Sequence, residues 1–122
     1  MPKRKKKELQ SNEEFEGTLG EEISVSTEFD LPLSVLVALL DWTPESTRRA
    51  LDALRTADLI TQTSDHELAI ALPNTVSENA RVVERRLRDA IPEASIGITA
   101  HRTGDTVPDL LARARAAASK GT

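Results

Sequence analysis

Arg55-Thr56-Ala57-Asp58 sets a guanidinium and a carboxylate three residues apart. A guanidinium grips phosphate through two parallel N–H groups, and a carboxylate accepts N–H donors from a polar ligand. The same spacing also describes a solvated ion pair at a helix end, worth well under ~1 kcal/mol. Arg81, Arg85, Arg86 and Arg88 cluster further along, as the wet face of an amphipathic helix ordinarily does. There is no cysteine, which excludes a thiol nucleophile, a thiolate zinc site and a disulfide framework. The two histidines, His66 and His101, are too few for most imidazole-built metal sites. His101, next to Arg102, reads as a surface loop residue. Trp42 reads as an anchor for the end of the apolar run that precedes it.

The chain of 122 residues has the length of one domain. Leu, Ile, Val and Phe make up about a quarter of it, enough for a core. Aromatic residues are limited to Phe15, Phe29 and Trp42, which argues against stacking on single-stranded nucleic acid. No stretch approaches the length of a membrane span, and the basic N-terminus lacks an apolar segment after it, so a cytoplasmic protein is expected. The net charge of −4 is uneven. MPKRKKK carries only positive side chains, while the remainder is acidic. Residues 1–10 are therefore expected to form a disordered basic tail, and residues 11–122 a single domain. Such a tail is either a solubilising leader or an arm for nucleic acid or a membrane surface. The acidic body excludes nucleic-acid binding except through that arm.

Ser11-Asn12-Glu13-Glu14 has the form of a capping box, and Phe15, Leu19 and Ile23 continue it as one helical stripe. Residues 24–30 are polar and read as a connector. Leu33 to Leu40 is a nearly unbroken apolar run, suited to a central strand covered on both faces. Thr43-Pro44 opens a helix to about Thr56 that buries Ala50, Leu51 and Leu54. Leu59–Thr63 and Glu67–Leu72 read as a hairpin turning at Ser64-Asp65-His66. Thr75-Val76-Ser77-Glu78 is a second capping-box pattern, followed by Val76, Ala80, Val83, Leu87 and Ile91 on one face. Residues 94–100 form a strand. Thr106 to Asp109 opens a last helix, with Gly121 at its C-terminal cap. The order predicts an α+β, ferredoxin-like (βαββαβ) fold: a four-stranded antiparallel sheet with helices packed on it, plus N-terminal and C-terminal helices.

In that order the sequence resembles a GGDEF domain, the catalytic domain of diguanylate cyclases. The resemblance is carried by Asn12 to Leu19, by Leu33 to Asp41, and by the ungapped hairpin from Ser64 to Thr75. Ser95-Ile96-Gly97-Ile98-Thr99-Ala100 and the alanine-rich segment Leu110 to Gly121 complete it. The family cyclises GTP with two metal ions held by acidic side chains. One of those acids ends the first strand, where Asp41 stands. The other is the third hairpin position, here His66, whose neutral imidazole lacks the charge and hard oxygen that Mg²⁺ prefers. Ser64 and Asp65 replace the two hairpin glycines, and the family's long helical insertion is missing between Asp41 and Arg55. Asp41 therefore reads as a turn residue. The expectation is a catalytically inactive module with no catalytic residue, no metal and no cofactor.

The resemblance also implies a ligand. Many family members carry Arg-x-x-Asp five residues before the hairpin motif, as a site for cyclic di-GMP. Arg55 and Asp58 stand in that register, and Arg86, or its neighbour Arg85, stands where the family supplies a further arginine. The guanidinium would take phosphate or the guanine O6/N7 edge, and Asp58 the guanine N–H groups. A signalling module is thus expected, binding cyclic di-GMP or a related nucleotide, a protein partner, or a second copy of itself. Two alternatives are open. One is an interaction scaffold without nucleotide affinity. The other is a winged-helix DNA binder with a basic arm, which requires Leu33 to Leu40 to be helical.

Overall fold

A run such as Leu33–Leu39 is stable only where neither of its faces meets water, and this requirement organises the molecule. In the computed structural model, which describes residues 6–120, the run is strand β1, with six of its seven residues buried. It lies inside an antiparallel sheet of order β2-β3-β1-β4. The other strands are β2 (Leu59–Ser64), β3 (Glu67–Pro73) and β4 (Ser95–Ala100). β1 pairs with β3 from Leu33↔Pro73 to Leu39↔Glu67, and with β4 from Ser34↔Ala100 to Leu39↔Ser95. This is the ferredoxin-like order that the sequence predicts. The extended β1 excludes the winged-helix reading.

Side chains alternate across a strand, so β1 and β3 each feed two cores. Leu36, Ala38, Leu68, Ile70 and Leu72 point to one face, under α2 (Pro44–Ala53) and α3 (Ser77–Ala90). Val35, Val37, Ala69 and Ala71 point to the other, under α1 (Asn12–Phe29) and α4 (Val107–Lys120). The terminal helices thus form a layer of their own. α4 approaches β4 closely because Gly97 has no side chain. A Cβ there would stand 2.1 Å from the Ala118 backbone nitrogen and 2.4 Å from the Ala114 oxygen.

Three local expectations are corrected. Residues 24–29 continue α1 rather than forming a connector. The Ser24 and Thr27 hydroxyls donate back to the Gly20 and Ile23 carbonyls, Ser26 is buried, and Asp30 ends the helix with φ 54°. The polarity of this turn misleads because the Ser24 and Thr27 hydroxyls are satisfied within the helix, while Ser26 donates to Leu31 O just beyond it. Next, α2 ends at Ala53, since Asp58 accepts the Arg55 N–H and closes residues 55–58 into a turn. Finally, α3 has no side-chain cap. The Thr75 hydroxyl that was expected to supply it donates to Pro73 O instead. Thr106 and Asp109, by contrast, exchange both bonds of a capping box at the start of α4.

The boundary of the expected basic tail also moves. Leu9 packs on the α2/α3 core, and Gln10 bridges to Thr61 in parallel. Residues 7–10 therefore belong to the folded body. Residues 1–5 and Gly121 lie outside the described residues. Gly97→Ala should destabilise the domain by about 3 kcal/mol or more, because the clash is with helix backbone and overpacking cannot relax through a rotamer. Denaturant unfolding against the unaltered chain measures this.

Candidate functional site

Two polar corners lie at opposite ends of β1, about 20 Å apart for a strand of this length. The first is where β1 leaves the sheet beside the β2–β3 turn. Leu40 N–H donates to His66 O (3.1 Å) and Trp42 N–H donates to Asp65 O (3.2 Å), which locks the outgoing chain to the turn. Trp42 Nε1 donates to Ala38 O (3.2 Å), and the indole packs on the core as expected. Asp41, held between those two bonds, meets His66: its Oδ1 lies 2.6 Å from Nδ1. Both side chains are open to water, so the contact itself adds little stability.

The neighbouring acid is not available at this corner. Glu67 is buried and accepts from Arg115 Nε (2.6 Å) and Nη2 (2.9 Å) on α4, and from Thr63 Oγ1. The Arg115 hydrogen bonds hold its carboxyl below the usual carboxylate range, against the opposing effect of burial. Its signal in the sequence was an acid opening an otherwise apolar strand. Its partner lies 48 residues downstream, beyond the reach of local pattern. Asp41 and a histidine do not make the oxygen-rich donor set that two hard divalent cations require. Among the described residues no group of three His, Asp or Glu side chains is placed to hold a metal ion.

The second corner is the turn after α2. Asp58 is fully buried at its side chain, whereas Arg55 is 36% exposed. Arg55 Nη2 donates to Asp58 Oδ1 (2.6 Å), Nε to both carboxylate oxygens, and the backbone N–H to Oδ2 (2.8 Å). Nη2 also donates to Thr75 Oγ1 (2.9 Å). These bonds to Asp58 raise the guanidinium pKa further. The Asp58 carboxylate thus faces inward to Arg55, and the group this corner offers to solvent is the guanidinium. The solvated-pair alternative does not describe an aspartate this deeply buried.

Arg85 and Arg86 lie on the exposed face of α3 and make no ion pair among the described residues. Arg86 lines an open groove of about 520 Å³ between α2 and α3, with Arg49, Asp52 and Asp89 above Ala53 and Ala90. Arg55 is not part of that lining. It touches Thr75, which lines a different cavity of about 360 Å³ reaching Ser26 and His101. Arg88 is engaged, donating to Glu84 and to Ile96 O on β4. His101 is half-buried rather than a free loop residue. Its N–H donates to Leu33 O, and its ring reaches Ser26 Oγ at 3.2 Å, because α1 extends far enough to cover it.

No family model and no curated protein matches the sequence. Solved structures do. The chain is similar to diguanylate cyclase SiaD from Pseudomonas aeruginosa, solved with its activator SiaC, at 25% identity and a TM-score of 0.78. The match covers 93% of this chain but 55% of SiaD, so this chain spans about half of that protein. It is similar to the GGDEF domain of DgcB from Caulobacter crescentus, solved with cyclic di-GMP, at 13% identity and a TM-score of 0.78, covering 98% and 89% of the two chains. It also matches the FimX GGDEF domain from Pseudomonas aeruginosa, at 12% identity and a TM-score of 0.81, covering 93% and 88%.

Removing the Asp58 carboxylate would leave Arg55 without its partner and four donor–acceptor contacts unmade. Asp58→Ala is expected to cost about 2 kcal/mol, because hydrogen bonds to a buried carboxylate are lost while the 36% exposed guanidinium turns to water. Urea unfolding of the variant measures it, and a change below about 0.5 kcal/mol would contradict the buried geometry.

Proposed function

Starting from this GGDEF-domain fold, we propose that the chain is a signalling module that does not cyclise GTP and acts by binding. The observation that carries the reading is the Asp41–His66 pair, an imidazole at 2.6 Å where a second metal-binding carboxylate would be needed. The nearby Glu67 is held by Arg115 and Thr63 and cannot substitute. Without two cations to neutralise the triphosphate and lower the pKa of the attacking hydroxyl, the transition state loses its main stabilisation. Incubated with GTP and Mg²⁺ or Mn²⁺, the protein is expected to form no cyclic di-GMP above a no-protein control. Chromatographic detection of steady product would overturn this reading.

The ligand we assign is cyclic di-GMP, at the turn carrying Arg55. DgcB was solved with that ligand, and Arg55-x-x-Asp58 stands in the family's register ahead of the hairpin. In this assignment the roles differ from those expected of the sequence. Asp58 positions Arg55, and Arg55 takes a phosphate or the guanine O6/N7 edge. Arg86, or Arg85 beside it, supplies the second cation from α3. A protein partner, as SiaC is for SiaD, would read the outcome. Such a relay works only if ligand and partner each bind the two states of the domain with different affinity.

Calorimetric titration with cyclic di-GMP is expected to give saturable heat with a Kd below about 100 μM, or about −5.5 kcal/mol. Arg55→Ala should abolish it, and Arg86→Ala should weaken it. Absence of heat from the unaltered chain would leave the partner surface as the module's sole means of action.

A further inference from the structure

The segment Lys7–Gln10 is held at four points. Lys7 Nζ donates to Asp58 O (2.6 Å) and Thr56 O (3.2 Å). Arg48 Nη2 donates to Lys7 O (2.8 Å). Leu9 packs on the core and lines a hollow with Trp42 and Leu51. Gln10 N–H donates to Ile60 O (2.9 Å), while Gln10 O accepts from Thr61 Oγ1 (2.8 Å). Lys6, one residue earlier, is exposed. Lysine is strongly hydrated, so a side chain serving solubility alone would stay in water as Lys6 does. Partial burial instead pulls the Lys7 ammonium below its ordinary pKa, with the nearby Asp58 opposing that shift.

Two consequences meet at Arg55. Lys7 ties two carbonyls of one turn together, and that turn carries the Asp58 carboxylate on which the guanidinium rests. Arg55 and Asp58 also cancel one another's charge, so of these three side chains Lys7 supplies the positive excess. We propose that Lys7–Gln10 is a working strap of the Arg55 corner, in which Lys7 is a positioning residue that fixes the 55–58 turn and makes the corner attractive to a phosphodiester anion. Leu9 and Gln10 are its anchors. The anion-binding part rests on the cyclic di-GMP reading above, whereas the positioning part does not. Strap docking and ligand binding then strengthen each other by the same factor.

The test uses the full chain with Lys7→Met, which keeps the stem and loses the charge, and Leu9→Ala, which keeps the charge and loosens an anchor. Proton exchange at the Arg55 backbone N–H and at Nε is read by NMR, alongside cyclic di-GMP titration. Both variants should speed exchange at the two Arg55 protons about tenfold relative to the β1 amides. Lys7→Met should also weaken cyclic di-GMP about five- to tenfold and flatten its salt dependence, as expected for one charge near the surface. Unchanged Arg55 exchange in both variants overturns the positioning role. Unchanged affinity in Lys7→Met overturns the anion role. If the unaltered chain binds no cyclic di-GMP while both variants speed Arg55 exchange, the ligand reading fails and the positioning role is supported.

Discussion

The structure depends on the two-sided burial of β1. Six of its seven side chains are removed from water on one face or the other, which a sheet edge or a single helical layer cannot achieve. Once β1 is central, β3 and β4 must flank it and helices must cover both faces. The alternation of Leu36 and Ala38 with Val35 and Val37 then decides which helices belong to which core. The face under α4 is lined by the small residues Ala69, Ala71 and Gly97, so that helix sits close to the strands.

The polar corners follow from the same strand. At one end the main chain of residues 40–42 is bonded to the hairpin turn, which forces Asp41 and His66 together whatever their chemistry. This corner therefore holds an acid and an imidazole side by side. At the other end, the start of β1 lies beside the end of β3 and the turn leading into β2. That geometry brings Thr75 to Arg55 and leaves Asp58 sealed behind the guanidinium. The Arg55–Asp58 pair thus divides its labour: the aspartate holds, and the arginine faces outward.

Positive charge near Asp58 comes from both sides of the turn, Arg55 from within and Lys7 from the N-terminal segment. The cost of burying the Asp58 carboxylate is offset by the donors paired with it. The arrangement ties the first folded residues of the chain to the corner, through bonds that span about fifty residues of sequence.

The order of elements was legible in the sequence because apolar period and turn chemistry are local properties. Leu33–Leu40 announced a buried strand, Thr43-Pro44 a helix start, and residues 64–66 a hairpin turn. That the third position of the hairpin turn is an imidazole rather than a carboxylate was equally visible, since a residue's identity needs no coordinates. What only the tertiary structure decided were the destinations of polar groups. Thr75 left its expected cap for Pro73 and Arg55, Glu67 turned to Arg115, and Lys7 came out of a nominal tail to the 55–58 turn. A hydrogen-bonding side chain accepts any partner of suitable geometry. Its choice is therefore fixed by which distant segments packing brings within about 3 Å, and no local pattern encodes that distance.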